Sequence, residues 1–238
     1  MKKQRIWELD VLRGLFILAM VAVHLIYNLQ SFFGISVLAD SKLYDFVANW
    51  GGALFFILSG ICVTLGSNPV RRGLVVFACG LGISGVTAAA YALKLADRSF
   101  IIWFGVLHCL GLSMLLWPGV KKLPWWALLA VAVIWIPAGV LLNRMRFDTG
   151  MWLTFLGFMP PEFASSDYFP LLPFFGFFLM GGALGKTLYK NKKTLFPRIS
   201  PENALIRAFG WVGRQSLAIY ILHQPVMLGA MYALEAVL

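Results

Sequence analysis

Residues 8–29 read ELDVLRGLFILAMVAVHLIYNL, and this stretch decides the fold class. A helix needs about 20 apolar residues to cross the hydrocarbon core of a membrane, and this segment is long enough to do so. Four polar side chains interrupt it, and at about 100° per residue they share one side of a helix. They are Asp10, Arg13, His24 and Asn28. The segment therefore predicts a membrane-spanning helix with one polar face.

That polar face is our first candidate site. Ionisable groups inside a membrane are costly, and they usually face a bundle interior, a partner helix or a wet cavity. Two structural alternatives stay open. Asp10 and Arg13 lie three residues apart and form only a pair with each other, or His24 only hydrogen-bonds a neighbouring helix.

The composition of the whole chain is that of a membrane protein. Of its 238 residues 60% are hydrophobic and 13% are charged, whereas about a quarter of a soluble domain is charged. We predict an all-α polytopic membrane helix bundle of about seven transmembrane helices, in one integral-membrane domain covering 1–238. The stretch 151–168 is expected to be an interfacial or partly re-entrant loop. The predicted spans are roughly 8–30, 46–66, 72–94, 100–117, 124–142, 169–189 and 207–235.

The distribution of basic residues predicts the orientation. With the N-terminus in the cytoplasm, seven spans place the C-terminus outside. The inner basic residues are Lys2, Lys3, Arg5, Arg71, Arg72, Lys121, Lys122, Lys186, Lys190, Lys192, Lys193, Arg198 and Arg207. The outer ones are Lys42, Lys94, Arg98, Arg144 and Arg146. This bias explains the net charge of +10 without nucleic acid, although part of the basic inner rim also suits an anionic cytosolic ligand.

Several polar residues in or beside the spans are candidates for chemistry. A neutral imidazole can accept a proton near neutral pH, so we predict catalytic roles for His24 and His223, helped by Asn28 and Asp45. For His223 a structural role is equally open, and Asp45 is alternatively a helix N-cap. The predicted substrate-binding residues are His108, Asp167, Tyr168 and Gln224.

Two of these substrate-binding residues also have structural interpretations. His108 lies between Gly105 and Gly111, which indicate close helix contact. Asp167 precedes Pro170 as the N-cap of the following helix would. The chain has no zinc motif, P-loop or dinucleotide fingerprint, so no metal is predicted.

Arginine is suited to a phosphate or thioester ligand that enters from the cytosol. We predict that such a ligand is bound near the inner membrane surface. The residues assigned to it are Asp10, Arg13, Arg71, Arg72, Arg214 and Gln215.

Five blocks of sequence carry a family resemblance. LDVLRGLFILAMVAVH, at 9–24, resembles the first-span motif of membrane acyltransferases. The other four resemble small bacterial members of the heparan-α-glucosaminide N-acetyltransferase catalytic-domain family, within the transmembrane acyltransferases. They are FFILSGICVTLG, FGVLHCLG, DYFPLLPFFGFFLMGGALGK and GRQSLAIYILHQPV.

The resemblance implies an acetyl-CoA-dependent membrane acyltransferase. Cytosolic acetyl-CoA would donate an acetyl group to a sugar or envelope-glycan acceptor on the outer side of a bacterial cytoplasmic membrane. The first-span histidine, here His24, would be the base or acyl carrier. The lysosomal enzyme instead has asparagine at this position and its histidine in the following loop, which here contains none. Asp45 matches its aspartate before the second span.

A transporter is the main alternative function. Buried histidines also serve as proton relays, so a proton-coupled or passive small-molecule carrier without chemistry fits the same residues. A third hypothesis is that the protein is an accessory subunit that binds a partner through its helix-packing faces. Expected partners are membrane lipid, acetyl-CoA and the acceptor, and a homodimer is left open.

Overall fold

The computed structural model describes residues 5–35 and 41–235, so Lys2 and Lys3 of the predicted inner rim lie outside the described residues. The chain is all-α, as predicted. Two short 3₁₀ turns occupy Arg98–Phe100 and Met151–Leu156. The helices are α1 Trp7–Phe33, α2 Lys42–Leu65, α3 Pro69–Ala92, α4 Val106–Val120, α5 Trp125–Leu142, α6 Leu171–Leu188, α7 Ala204–Arg214 and α8 Ser216–Glu235.

The prediction of a polytopic membrane protein is confirmed. Within the described ranges, six helices are long and apolar enough to cross a membrane, and α4 is a shorter apolar helix. Many of their apolar side chains are exposed, as Val86 and Ile134 illustrate at 70% and 73%. Lipid can cover such surfaces in place of protein.

Two predicted spans have different limits in the structure. The fourth begins at Val106 and not near residue 100, because Arg98–Phe100 forms a separate 3₁₀ turn. The predicted span 207–235 is two helices, because Gln215 ends α7 and its N–H bonds the carbonyls of Trp211 and Val212. Hydropathy averages over such breaks, since the backbone can turn without a change in apolar content.

The structure divides into two compact units. The first unit comprises Met1–Phe55 and Lys193–Leu238, and it contains α1, the first part of α2, α7 and α8. The second unit comprises Phe56–Lys192 and contains the rest of α2 with α3 to α6. In the second unit, the backbones of α2 and α6 pack directly against each other at two glycines. Gly60 contacts the Phe178 backbone, and Gly181 contacts the Ile57 backbone.

In the first unit, α1 and α7 cross at a pair of glycines. A Cβ at Gly14 would collide with the carbonyl of Phe209, and a Cβ at Gly213 would collide with the carbonyl of Asp10. Small residues allow helices in membranes to approach this closely. The crossing brings the first turns of α1 against the length of α7.

We expect Gly213→Ala to destabilise the protein. The added methyl group meets backbone atoms that cannot rotate away, and overpacking of this kind costs about 1–3 kcal/mol. Gly82→Ala is the matched control, because nothing lies within 4 Å of a Cβ there. Alanine in a helix interior is favoured over glycine by about 0.5–1 kcal/mol. Thermal unfolding in detergent should therefore move in opposite directions for the two variants, and equal shifts would contradict the close crossing.

Candidate functional site

Two histidines from different helices meet in the first unit. His24 of α1 and His223 of α8 have ring centroids 4.9 Å apart, with an interplanar angle of 70°. The Nδ1 atom of His24 lies 2.9 Å from the Met20 carbonyl oxygen. The Nδ1 atom of His223 lies 2.5 Å from the Tyr220 carbonyl oxygen. Each ring is thus held by the preceding turn of its own helix.

These backbone contacts assign the tautomer of both rings. A carbonyl oxygen only accepts hydrogen bonds, so Nδ1 of each neutral ring carries the proton and donates it. The lone pair then lies on Nε2, which can accept a proton from another molecule. Nε2 of His223 is buried and has no hydrogen-bond partner among the described residues. Nε2 of His223 is therefore a proton acceptor that no hydrogen bond within the described residues occupies.

An amide pair lies beside the histidines. Asn28 Nδ2 donates to Gln224 Oε1 over 2.8 Å, and Asn28 is only 1% exposed. Because Asn28 follows His24 by one helical turn and Gln224 follows His223 directly, this bond ties α1 to α8 next to the ring contact. The structure thus brings together four predicted site residues, namely two histidines that were predicted to be catalytic and two amides.

An open cavity of about 700 Å³ lies in the same unit, near the beginning of α1. Three arginines, Arg5, Arg207 and Arg214, contribute to its lining, which also includes the indoles of Trp7 and Trp211. The remaining lining residues are Asp10, Pro201, Ala204, Ile206, Ala208 and Gly210. Guanidinium groups bind phosphate with charge-assisted, often bidentate hydrogen bonds. The lining is therefore suited to an anionic ligand that also carries a flat ring.

The sequence prediction found only part of this cavity. Asp10 and Arg214 were predicted to bind the ligand, whereas Arg207 was assigned only to the basic rim and Trp7 and Trp211 were not singled out. A pattern in the sequence could have revealed these residues: polar and apolar residues alternate over 204–214, which is typical of an amphipathic helix at a membrane surface. The predicted span 207–235 joined most of this amphipathic segment to the apolar helix that follows it, so the pattern was missed.

Other residues predicted to bind the ligand lie outside the cavity lining. Arg13 donates to Asp10 through Nη2 over 3.1 Å, and Gln215 is exposed at the end of α7. Arg71 and Arg72 are exposed in the first turn of α3, in the second unit. Their assignment to the ligand stays a prediction.

Asp45, a predicted catalytic residue, is exposed in the first turn of α2. It does not cap that helix. Ser41 Oγ accepts a hydrogen bond from the Tyr44 N–H over 3.4 Å, which is the bond an N-cap makes. A carboxylate in the first turn also favours the helix through its dipole. A catalytic role for Asp45 stays a prediction.

His108, a predicted substrate-binding residue, is almost completely buried in the second unit, with 2% of its surface exposed. Its Nδ1 accepts a hydrogen bond from the Gly105 N–H over 3.2 Å. That bond leaves the proton on Nε2, which lies 3.2 Å from Ser84 Oγ, and Ser84 in turn donates to the Ile102 carbonyl over 2.5 Å. Both ring nitrogens are therefore occupied within the fold, which favours the structural interpretation of His108.

Asp167 caps a helix other than the expected one. Its Oδ2 accepts a hydrogen bond from the Val106 N–H over 3.1 Å, at the start of α4. The N-cap of α6 is Pro170, so the expectation that Asp167 caps the helix that follows it was wrong. The N-terminus of α4 is distant in sequence, and only the fold brings it to this loop.

Tyr168, the residue after Asp167, is also engaged by the protein. Its hydroxyl donates to the Thr154 carbonyl over 2.7 Å, and burial raises the pKa of the Tyr168 hydroxyl, so it remains protonated. Substrate binding by Asp167 and Tyr168 stays a prediction.

We expect Asp167→Ala to lower stability by about 1 kcal/mol, because an N-cap oxygen is lost from α4. Asp167→Asn is the matched variant, since its amide oxygen can still accept from the Val106 N–H. Thermal unfolding in detergent should rank the native protein and Asp167→Asn above Asp167→Ala. Unchanged unfolding combined with a raised KM for an acceptor would instead favour the substrate-binding role.

Comparison with known proteins identifies one family. The family described as heparan-alpha-glucosaminide N-acetyltransferase, catalytic, matches residues 5–225, which is most of the 238-residue chain. The matched range includes both histidines of the ring pair and all lining residues of the cavity. No curated protein and no solved structure matches.

Proposed function

The chain belongs to the heparan-α-glucosaminide N-acetyltransferase catalytic family, and on this premise we propose that it acetylates a sugar or envelope glycan across a membrane. Membership of this family, together with the apolar helices, makes the protein a transmembrane acetyltransferase in general terms. The donor is cytosolic acetyl-CoA, and the acceptor is a hydroxyl or amine on the outer side of a bacterial cytoplasmic membrane.

The observation that carries this proposal is the pair formed by His24 and His223. Both rings turn Nδ1 toward a backbone carbonyl, which leaves Nε2 as a proton acceptor. General bases of this type contribute about 10²- to 10⁴-fold to a reaction rate. A purely structural histidine pair would be expected to use Nε2 in a hydrogen bond, yet Nε2 of His223 is buried without a partner in the described part of the chain.

The basic cavity supports acetyl-CoA as the donor. CoA carries phosphate groups and an adenine ring, which match the three arginines and the two indoles of the lining. Arg5 and Arg207 are also on the predicted inner side, so the positive-inside rule puts the cavity on the cytosolic surface.

The first helix connects the donor site to the histidines. Asp10, which lines the cavity, and His24 are fourteen residues apart, which is about 21 Å along a straight helix. The acyl-carrying arm of the donor would extend along α1 from the cavity toward His24. Transfer across a membrane requires such a route, because the donor's charged end stays in the cytosol while the acceptor is outside.

The proposed chemistry is a direct acyl transfer. His24 Nε2 takes the proton of the acceptor hydroxyl or amine as its oxygen or nitrogen attacks the thioester carbonyl carbon. The carbon–sulfur bond then breaks, the acetyl group remains on the acceptor, and the departing CoA sulfur takes the proton from the imidazolium. In the alternative route, His24 Nε2 attacks the thioester carbonyl carbon and the carbon–sulfur bond breaks, so CoA leaves as a thiolate. The acceptor then attacks the acetyl carbon, the carbon–nitrogen bond to His24 breaks, and the acceptor's proton passes to His223 Nε2 and from there to the thiolate. His223 lies where it can share the proton, and Asn28 with Gln224 orients the acceptor.

The test is an acetyl-transfer measurement on the purified full-length protein. Radiolabelled acetyl-CoA is supplied with amino sugars and envelope glycans, and both free CoA and labelled acceptor are quantified. We expect label in an acceptor in proportion to CoA released. Uptake of a solute into liposomes without any acyl donor, with no CoA released in the enzyme assay, would replace this proposal with the transporter.

A further inference from the structure

One carboxylate lies among the arginines of the cavity. Asp10 lines the same space as Arg5, Arg207 and Arg214, and it is only 9% exposed. A negative charge is unfavourable next to a phosphate-bearing ligand, because like charges repel most strongly where water is partly excluded. Asp10 was predicted to bind the ligand, but its negative charge indicates a different role.

The contacts of Asp10 show how it acts in the cavity. Its Oδ1 lies 3.1 Å from Arg13 Nη2 and its Oδ2 lies 4.0 Å from Arg5 Nη1. Arg214 reaches the same place: a Cβ on Gly210 would lie 3.4 Å from Arg214 Nη1 and 3.9 Å from the Asp10 Cβ. The carboxylate thus pairs with Arg5, a cavity arginine that an anionic ligand would need, and with Arg13, which lies outside the cavity lining.

The backbone holds this carboxylate in place. The Asp10 carbonyl packs directly against Gly213 at the crossing of α1 with α7. The Cα of Asp10 therefore has little freedom to move away when a ligand enters, and the ligand must bind in the presence of the negative charge.

We propose that Asp10 is an internal competitor, a positioning residue that shares the cavity arginines and weakens the binding of phosphate-bearing ligands. The effect of Asp10 on turnover, which is argued next, rests on the proposed function. Acetyl-CoA and free CoA carry the same phosphates, so a cavity that bound the donor very tightly would also retain the product. Product release limits the turnover of many enzymes. Weakening both complexes equally raises KM and speeds release of CoA.

The sign of the Asp10→Asn effect separates this role from two others. If Asp10 only orients Arg13, or contacts the ligand itself, removing its charge weakens ligand binding. If Asp10 competes with the ligand, removing its charge strengthens binding, because Arg5 loses its ion-pair partner and the cavity loses its negative charge. The amide is nearly the same size, so the crossing with α7 is preserved.

The experiment measures ADP binding to the full-length protein in detergent by calorimetry, at low and moderate salt. We expect Asp10→Asn to bind ADP about tenfold more tightly than the native protein, with the gain reduced as salt screens the cavity. We also expect a lower KM for acetyl-CoA, stronger inhibition by CoA and no rise in kcat. Asp148→Asn is the matched control, because Asp148 is exposed and outside the cavity lining, and it should leave ADP binding unchanged.

Equal or weaker ADP binding by Asp10→Asn would overturn the inference. If Asp10→Asn does not fold, Asp10→Ala supplies the same comparison without a charge or added volume. The proposed function can fail separately. If the variant binds ADP more tightly but neither protein releases CoA from acetyl-CoA, the competing role of Asp10 is supported and the acetyltransferase function is rejected.

Discussion

Replacing His24 with glutamine lowers the rate of acetyl transfer by about 10²- to 10⁴-fold, the range expected when a general base is removed. Glutamine can still hydrogen-bond, but its amide cannot accept the acceptor's proton. We expect kcat to fall while the affinity for ADP stays close to native, because the cavity and the histidine pair use different residues. Transfer assays and calorimetry on the same preparation measure both quantities.

His223→Gln is the companion variant for this prediction. If His24 is the base and His223 only shares its proton, His223→Gln retains more activity than His24→Gln. A larger loss for His223→Gln would move the base to α8, where the unpartnered Nε2 lies. Full activity of His24→Gln would show that the catalytic assignment is incorrect even if acetyl transfer itself is observed.

Replacing Arg207 and Arg214 together with glutamine raises the KM for acetyl-CoA by about 10- to 100-fold, because each charge-assisted hydrogen bond to phosphate contributes more than a neutral one. Both side chains line the cavity from α7. We expect kcat at saturating donor to change little, since these contacts hold the donor equally in the ground and transition states. Steady-state kinetics over a range of acetyl-CoA concentrations separates the two parameters.

Arg198→Gln is the control for charge alone. Arg198 is exposed, belongs to the same unit and does not line the cavity. It removes the same charge without removing a proposed phosphate contact, so its KM should remain near native. An equal increase in KM for Arg198→Gln would indicate a general effect of surface charge, and the assignment of the cavity to the donor would then be lost.

The membrane fold could be predicted because it depends on local properties of the chain. Long apolar segments must form helices in lipid, where unpaired backbone groups are costly. The polar face of α1 could also be predicted from the sequence, because helical periodicity alone puts four polar residues on one side. They are Asp10, Arg13, His24 and Asn28. Where an amphipathic helix is followed directly by an apolar one, as at Gln215, the prediction failed and α7 was included in a longer span.

The partners of the polar residues could not be predicted in the same way. Asp167 was expected to cap α6, yet it caps α4, whose N-terminus is 61 residues away in sequence. His108 was predicted to bind substrate, with close helix contact as the structural alternative, and only the structure shows that Gly105 and Ser84 contact its two ring nitrogens. Such bonds depend on which loops and helices the fold brings together, and residue spacing does not contain that information.

The amino-acid sequence by itself determined that this chain is an α-helical membrane protein with a polar face on its first helix, because hydropathy and helical period act over neighbouring residues. Tertiary structure alone decided that His24 meets His223, and that Arg207 and Arg214 line the same cavity as Asp10. These groups are separated by nearly 200 residues, and they become neighbours only because glycines allow α7 to pack directly on α1 while an amide pair joins α8 to it. Close packing between distant helices therefore builds the site from residues that are individually visible in the sequence.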